Sequence, residues 1–81
     1  MSETVTEYQI NGKTYIQYHG NAFDRGSADS WYHRDRTPHL YPEGSYNGPR
    51  IESDMMSADE VEAYHAGYDY NEKFGGKKDW D

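Results

Sequence analysis

No cysteine occurs among the 81 residues, so neither a disulfide scaffold nor a thiolate metal site can be built from this chain. Branched aliphatics are almost as scarce: three isoleucines, two valines and one leucine. With the two phenylalanines, Leu, Ile, Val and Phe make up about a tenth of the sequence, a level at which a charged chain often forms no core. No apolar run approaches the ~18 residues a membrane-spanning helix needs, and no membrane contact is expected. Met1-Ser2-Glu3-Thr4 is neither basic nor followed by an apolar stretch, so no secretory leader is expected and the cytoplasm is the expected compartment. Positive charge is short as well. Eight Lys and Arg stand against fifteen Asp and Glu, for a formal charge of −7. That balance opposes direct binding to nucleic-acid backbones, which takes clustered Lys and Arg. It permits a partner with a basic patch, or simple solubility. A chain this short also has little room for a buried catalytic cleft of its own.

What is present is aromatic: nine Tyr, two Phe and two Trp. Each such ring can bury roughly 150–250 Å². A tyrosine also brings a hydroxyl that needs a partner, so the expected core is shallow, with half-buried tyrosines whose hydroxyls reach the surface. One domain spanning 1–81 is expected.

Residues 4–19 read as a hairpin, because Asn11-Gly12 between β-branched and aromatic runs is a strong type I′ turn signal. A two-residue loop pairs Ile10 with Lys13, Tyr8 with Tyr15 and Val5 with Tyr18. The Tyr8–Tyr15 pair stabilises one face, while Val5, Ile16 and Tyr18 occupy the other. After Gly20, Asn21 is the expected N-cap of a helix over residues 21–33, with Asp24 at N3. Phe23, Gly26, Ser27 and Ser30 share one side of it, small residues around one ring that let another element approach closely. Arg25 and Asp29 form an i,i+4 pair of modest value. Residues 34–56, rich in Pro and Gly, are expected to form a long ordered loop. Ser57 opens a second helix over 57–74 with a full capping box to Glu60, and Gly75-Gly76 ends it. Glu62, His65, Asp69, Glu72 and Lys73 fall on its wet side. Val61, Ala63, Tyr64, Ala66, Gly67, Tyr68, Tyr70 and Phe74 form a wide apolar arc. Residues 75–81 are a tail. The expected fold class is therefore α+β, an N-terminal β-hairpin packed on two α-helices joined by a long ordered loop.

The chemistry-bearing residues form no strong motif. Among His19, His33, His39 and His65 no pair has zinc-motif spacing. His33 and His39 flank Asp35, but exposed histidines beside aromatics are the expected outcome, with no metal and no cofactor. His65 and Asp69, with Glu62, resemble a general base oriented by a carboxylate, yet a solvated charged face is the better reading, since no nucleophile is near in sequence. Ser27 and Ser30 suit a helix contact better than nucleophilic catalysis. Gly75-Gly76 follows a helix instead of preceding one, which is wrong for a phosphate loop. Arg25, Arg34, Arg36 and Arg50 are the one basic grouping. Beside Trp31, Tyr32 and Tyr41 they make a mixture enriched at binding hot spots. The candidate partner-binding residues are Trp31, Tyr32, Arg34, Arg36, His39 and Tyr41, with Trp80. The competing reading is that these arginines pair internally with the surplus acids.

Two stretches carry a resemblance. They are Ala22-Phe23-Asp24-Arg25-Gly26 through His33-Arg34 to Pro38-His39, and Ala63-Tyr64-His65-Ala66-Gly67-Tyr68. Together they resemble the ribosome modulation factor family of small bacterial proteins. Arg25-Gly26 match directly, His33-Arg34 stand where that family has Gly-Arg, and Tyr64-x-x-Gly67-Tyr68 stand for its Trp-x-x-Gly-Trp. The likeness covers about 30 of the 81 residues and implies a two-helix core, with the hairpin as an addition. It also implies contact with the small ribosomal subunit. The whole pattern, with its closing Lys78-Asp79-Trp80, looks like small bacteriophage-encoded proteins as well. The expectation is a small acidic, non-enzymatic binding protein of phage or prophage type. It would modulate a host protein or ribonucleoprotein in the bacterial cytoplasm, as a monomer or homodimer. A ribosome-associated hibernation-type factor and an acidic nucleic-acid mimic that inhibits a DNA-binding host protein are the alternatives.

Overall fold

The computed structural model describes residues 6–42 and 48–76. The expected Val5–Tyr18 pair, the tail and Trp80 lie outside or partly outside that range. The order is β1 (Thr6–Ile10), β2 (Lys13–Gln17), α1 (Ala22–Trp31), β3 (His39–Leu40), β4 (Ile51–Glu52), a single 3-10 turn (Ser53–Met55) and α2 (Ala58–Phe74). This is the α+β arrangement, with an N-terminal hairpin and two helices. Among the described residues no helix is long and apolar enough to cross a membrane.

The hairpin has the register its turn dictates: Ile10 faces Lys13, Tyr8 faces Tyr15 and Thr6 faces Gln17. Asn11 and Gly12 both have positive φ, 51° and 78°, as a type I′ turn requires. Because side chains alternate along a strand, Tyr8 and Tyr15 share a face, and that face packs inward. Tyr8 stacks on Phe23 of α1 at 4.7 Å and meets Tyr70 of α2 edge-on at 4.8 Å. Ile16, on the opposite face, is exposed. Lys13 and the Tyr15 hydroxyl both donate to Glu62 of α2, which fastens the hairpin to the second helix.

Asn21 caps α1, its side-chain oxygen accepting from the Asp24 N–H at 2.9 Å. Asp24 in turn accepts from the Gly20 N–H, so the reciprocal bond lands one residue earlier than a capping box places it. The α1 helix ends at Trp31, two residues before the expected limit. His33 takes a left-handed φ of 63°. The Arg34 N–H then reaches the Asp29 carbonyl at 2.8 Å, and the His33 N–H the Ser30 carbonyl at 3.2 Å. This is a Schellman closure without the glycine that normally announces one. The α2 helix runs as expected, with both halves of the Ser57–Glu60 capping box in place.

The two helices are the main packing pair. At their crossing, Gly26 lies against the Tyr64 carbonyl and Gly67 against the Phe23 carbonyl. A Cβ at either position would come within 2.0 or 2.1 Å of that oxygen. The stripe α2 buries is Tyr64, Gly67 and Asn71, spaced i, i+3, i+7. Asn71 was not foreseen there. Its side chain donates to Ser30 Oγ and to the Gly76 carbonyl, both at 2.9 Å. Ala22, Leu40 and Tyr64 form the apolar centre, with Ile51, Met56, Ala63 and Tyr68 around it.

The 34–56 connection is not a plain loop. It contains the β3–β4 ladder, where His39 faces Glu52 and Leu40 faces Ile51. The Tyr41 N–H donates to the Gly20 carbonyl at 2.7 Å, which draws this ladder against the start of α1 and buries His39, Leu40 and Tyr41.

Candidate functional site

The candidate residues divide into an interior network and an outer surface. The interior one centres on Asp29. It sits in the last turns of α1, on the same side as Arg25, and both are buried. Their expected i,i+4 pairing is present, 3.8 Å between Nη2 and Oδ1, and it is buried. Arg34 Nη1 approaches the same Oδ1 at 3.5 Å. The Tyr64 hydroxyl donates to Oδ2 and accepts from the Thr37 N–H at 3.0 Å. Burial, and then the bond to Asp29, raise the Tyr64 phenol above its ordinary pKa.

His39 corrects the expectation of exposed histidines, since it is buried beneath Tyr41 and Tyr64. Its Nδ1 lies 2.7 Å from the Thr37 carbonyl. A carbonyl can only accept, so that nitrogen carries the proton. Nε2 accepts from Arg25 Nε at 3.1 Å. Both ring nitrogens are thus committed to the neutral tautomer. Burial lowers the His39 pKa, and Arg50 and Arg25 act in the same sense, against the opposing Thr37 carbonyl and Asp29. Among the described residues no buried side-chain polar atom lacks a hydrogen-bond partner.

The outer surface begins where α1 ends. Trp31 and Tyr32 are each 39% exposed. The Arg34 guanidinium lies over the Tyr32 ring at 5.0 Å, and the Arg36 guanidinium over Tyr68 of α2 at 4.3 Å. The Tyr68 hydroxyl donates to the Arg34 carbonyl at 2.5 Å, which fixes this strip of chain to α2. Arg36 also bonds Asp69 and meets His65 Nδ1 at 3.3 Å. The His65–Asp69 pair, considered above as an oriented general base, is therefore engaged by a guanidinium. Glu62 is held below its ordinary pKa by the hydrogen bonds from Lys13 and Tyr15.

Of the seven expected contact residues, Trp31, Tyr32, Arg34 and Arg36 lie at the surface, Arg34 on the Tyr32 ring, Arg36 on the Tyr68 ring, and Trp31 beside Gly76. It withdraws His39 and Tyr41 into the interior. Trp80 lies outside the described residues. Asp29, Thr37, Tyr64 and Tyr68 take part without having been foreseen as site residues. The available signal was the i,i+4 spacing of Arg25–Asp29 and of Tyr64–Tyr68, which does not say what faces each pair. Among the described residues no three of His, Asp and Glu come together as metal ligands would.

No family model, curated protein or solved structure matches this chain. The functional argument therefore rests on the geometry.

Proposed function

We propose that this chain is a non-enzymatic binding protein whose contact surface is the aromatic–arginine group at the end of α1. The observation that supports this reading is the exposure of Trp31 and Tyr32 at the end of α1, followed in the chain by Arg34 and Arg36, each stacked on a tyrosine ring. Trp, Tyr and Arg are the residues enriched at binding hot spots. Side chains already ordered by stacking lose less entropy when a partner arrives. The sequence resemblance to ribosome modulation factors and to small phage proteins is the ground for proposing a bacterial host macromolecule as partner, and a host protein suits an acidic chain best.

The ribosome-associated reading predicts co-sedimentation with ribosomal particles in a sucrose gradient, and a chain that stays at the top of the gradient is not such a factor. The nucleic-acid-mimic reading needs free rows of carboxylates. Asp29, Glu52, Glu62 and Asp69 each face a cation instead, which gives that reading no support. The deciding experiment is capture from bacterial lysate at low salt, comparing wild type with a Trp31→Ala/Tyr32→Ala variant whose fold is checked by circular dichroism. The proposal expects a partner retained by the first and lost by the second. Equal retention by both would overturn it.

A further inference from the structure

We propose that the concavity between the end of α1 and the β3–β4 ladder binds a phosphate-type oxyanion. It encloses about 250 Å³. Three of the chain's four arginines line it, each from a different stretch: Arg25 from α1, Arg34 from just beyond it, and Arg50 from the approach to β4. Arg25 is buried at its floor, while Arg34 and Arg50 stand at the rim with side chains 47% and 37% exposed. Arg50 is held by Glu52 through Nε at 2.8 Å. Its Nη fork has no partner among the described residues.

The chemistry favours a tetrahedral oxyanion over a carboxylate. A guanidinium fork presents parallel N–H groups to two oxygens, so the rim guanidinia of Arg34 and Arg50, approaching from two sides, suit the several oxygens of a tetrahedral anion, while Arg25, bonded to His39 and Asp29, contributes charge from behind. Thr37 and Tyr41 also line the concavity. Of the two lining carboxylates, Asp29 is already engaged by Arg25, Arg34 and the Tyr64 hydroxyl. Asp35 has no cation partner among the described residues and opposes an incoming anion. The lining residues are three arginines against two carboxylates, with Glu52 paired to Arg50 beside them, on a chain whose net charge is −7.

The test is calorimetric titration of the full chain with inorganic phosphate and, separately, with O-phosphoserine, at constant ionic strength. The proposal expects saturable binding. Arg50→Gln should weaken it ~10-fold or more, the loss expected for a hydrogen bond to a charged group. Asp35→Asn should tighten it severalfold by removing a like charge. Tighter binding of O-phosphoserine assigns the site to a phosphorylated side chain, and tighter binding of inorganic phosphate to the free ion. No saturable heat with either probe overturns the proposal, as does an Arg50→Gln protein that is folded and binds like wild type. Should Arg50→Gln not fold, the Asp35→Asn result decides: tightening supports the site, and unchanged affinity removes it. The two sites share Arg34, but Arg50→Gln reports on the oxyanion site and Trp31→Ala/Tyr32→Ala on the contact surface, so failure of one is distinguishable from failure of the other.

Discussion

A buried tyrosine must satisfy its hydroxyl, and Tyr64 does so twice, donating to Asp29 and accepting from the Thr37 N–H. Tyr64→Phe keeps the ring and removes only that link, leaving a buried carboxylate and an amide each short of a partner. The expected loss is about 1–3 kcal/mol, read from the urea midpoint; an unchanged midpoint would mean that the hydroxyl contributes no net stability. Truncation of Tyr64 or Phe23 to Ala removes the ring as well and should cost about 3–5 kcal/mol, enough to unfold a domain this small. The neighbouring His39 makes stability depend on pH. Its folded pKa lies below the unfolded value of about 6.5, so near that pH the unfolded chain binds more protons than the folded one. Its contribution is complete above about pH 6.5 and is lost as pH falls through that value toward the folded pKa. Between about pH 7.5 and about pH 5.5, above the carboxylate range, wild type should lose stability more steeply than His39→Gln, which can still accept from Arg25 without titrating. At His33 the left-handed backbone costs ~1–2 kcal/mol for a residue with a Cβ. Glycine there gives back ~0.5–1 kcal/mol through unfolded-state entropy. His33→Gly should therefore raise stability by about 0.5–1 kcal/mol in thermal or urea unfolding, and a loss would show that the imidazole's own contacts outweigh the strain.

The elements owe their placement to signals of very different range. The Asn11-Gly12 turn and the Ser57–Glu60 capping box are closed within four residues, and both were legible because no distant partner is needed to form them. The end of α1 was not, since His33 adopts the glycine conformation without being glycine. The β3–β4 ladder was hidden for another reason. Two-residue strands show no alternation, and these pair only because Tyr41 docks on Gly20. The helix crossing lies between these cases: Gly26 stood out beside Phe23, but its partner carbonyl on Tyr64 belongs to tertiary structure. That crossing admits a direct test. Gly26→Ala or Gly67→Ala gains roughly 1 kcal/mol of helix propensity yet drives a methyl into the facing backbone carbonyl. Backbone cannot rotate away as a side chain can, so the helices must separate. Each variant should lose about 1–3 kcal/mol by urea unfolding, and a stabilised variant would mean that the crossing is looser than described.

For the molecule as a whole, the surplus of aromatics and the shortage of aliphatics are resolved by division of labour. Tyr8, Phe23 and Tyr70 fill the space between hairpin and helices, and Tyr64 packs with Ala22 and Leu40. Asp29, Arg25 and His39 supply a bonded polar interior, and Trp31 and Tyr32 remain outside. Of the expected contact residues, Trp31, Tyr32, Arg34 and Arg36 follow closely in the chain and lie at the surface. The burial of His39 and Tyr41 depended on a ladder with no sequence signature. Arg34 links interior and surface through Asp29, whereas Trp31 and Tyr32 take no part in the interior network, so their replacement should abolish binding and leave that network intact. The most direct test is backbone hydrogen–deuterium exchange of the chain, free and bound to the partner it captures. The account predicts new protection over residues 31–36 and the facing turn of α2 at 65–69, with the hairpin 6–17 unchanged. Protection confined to the hairpin, with 31–36 exchanging as in the free chain, would contradict it.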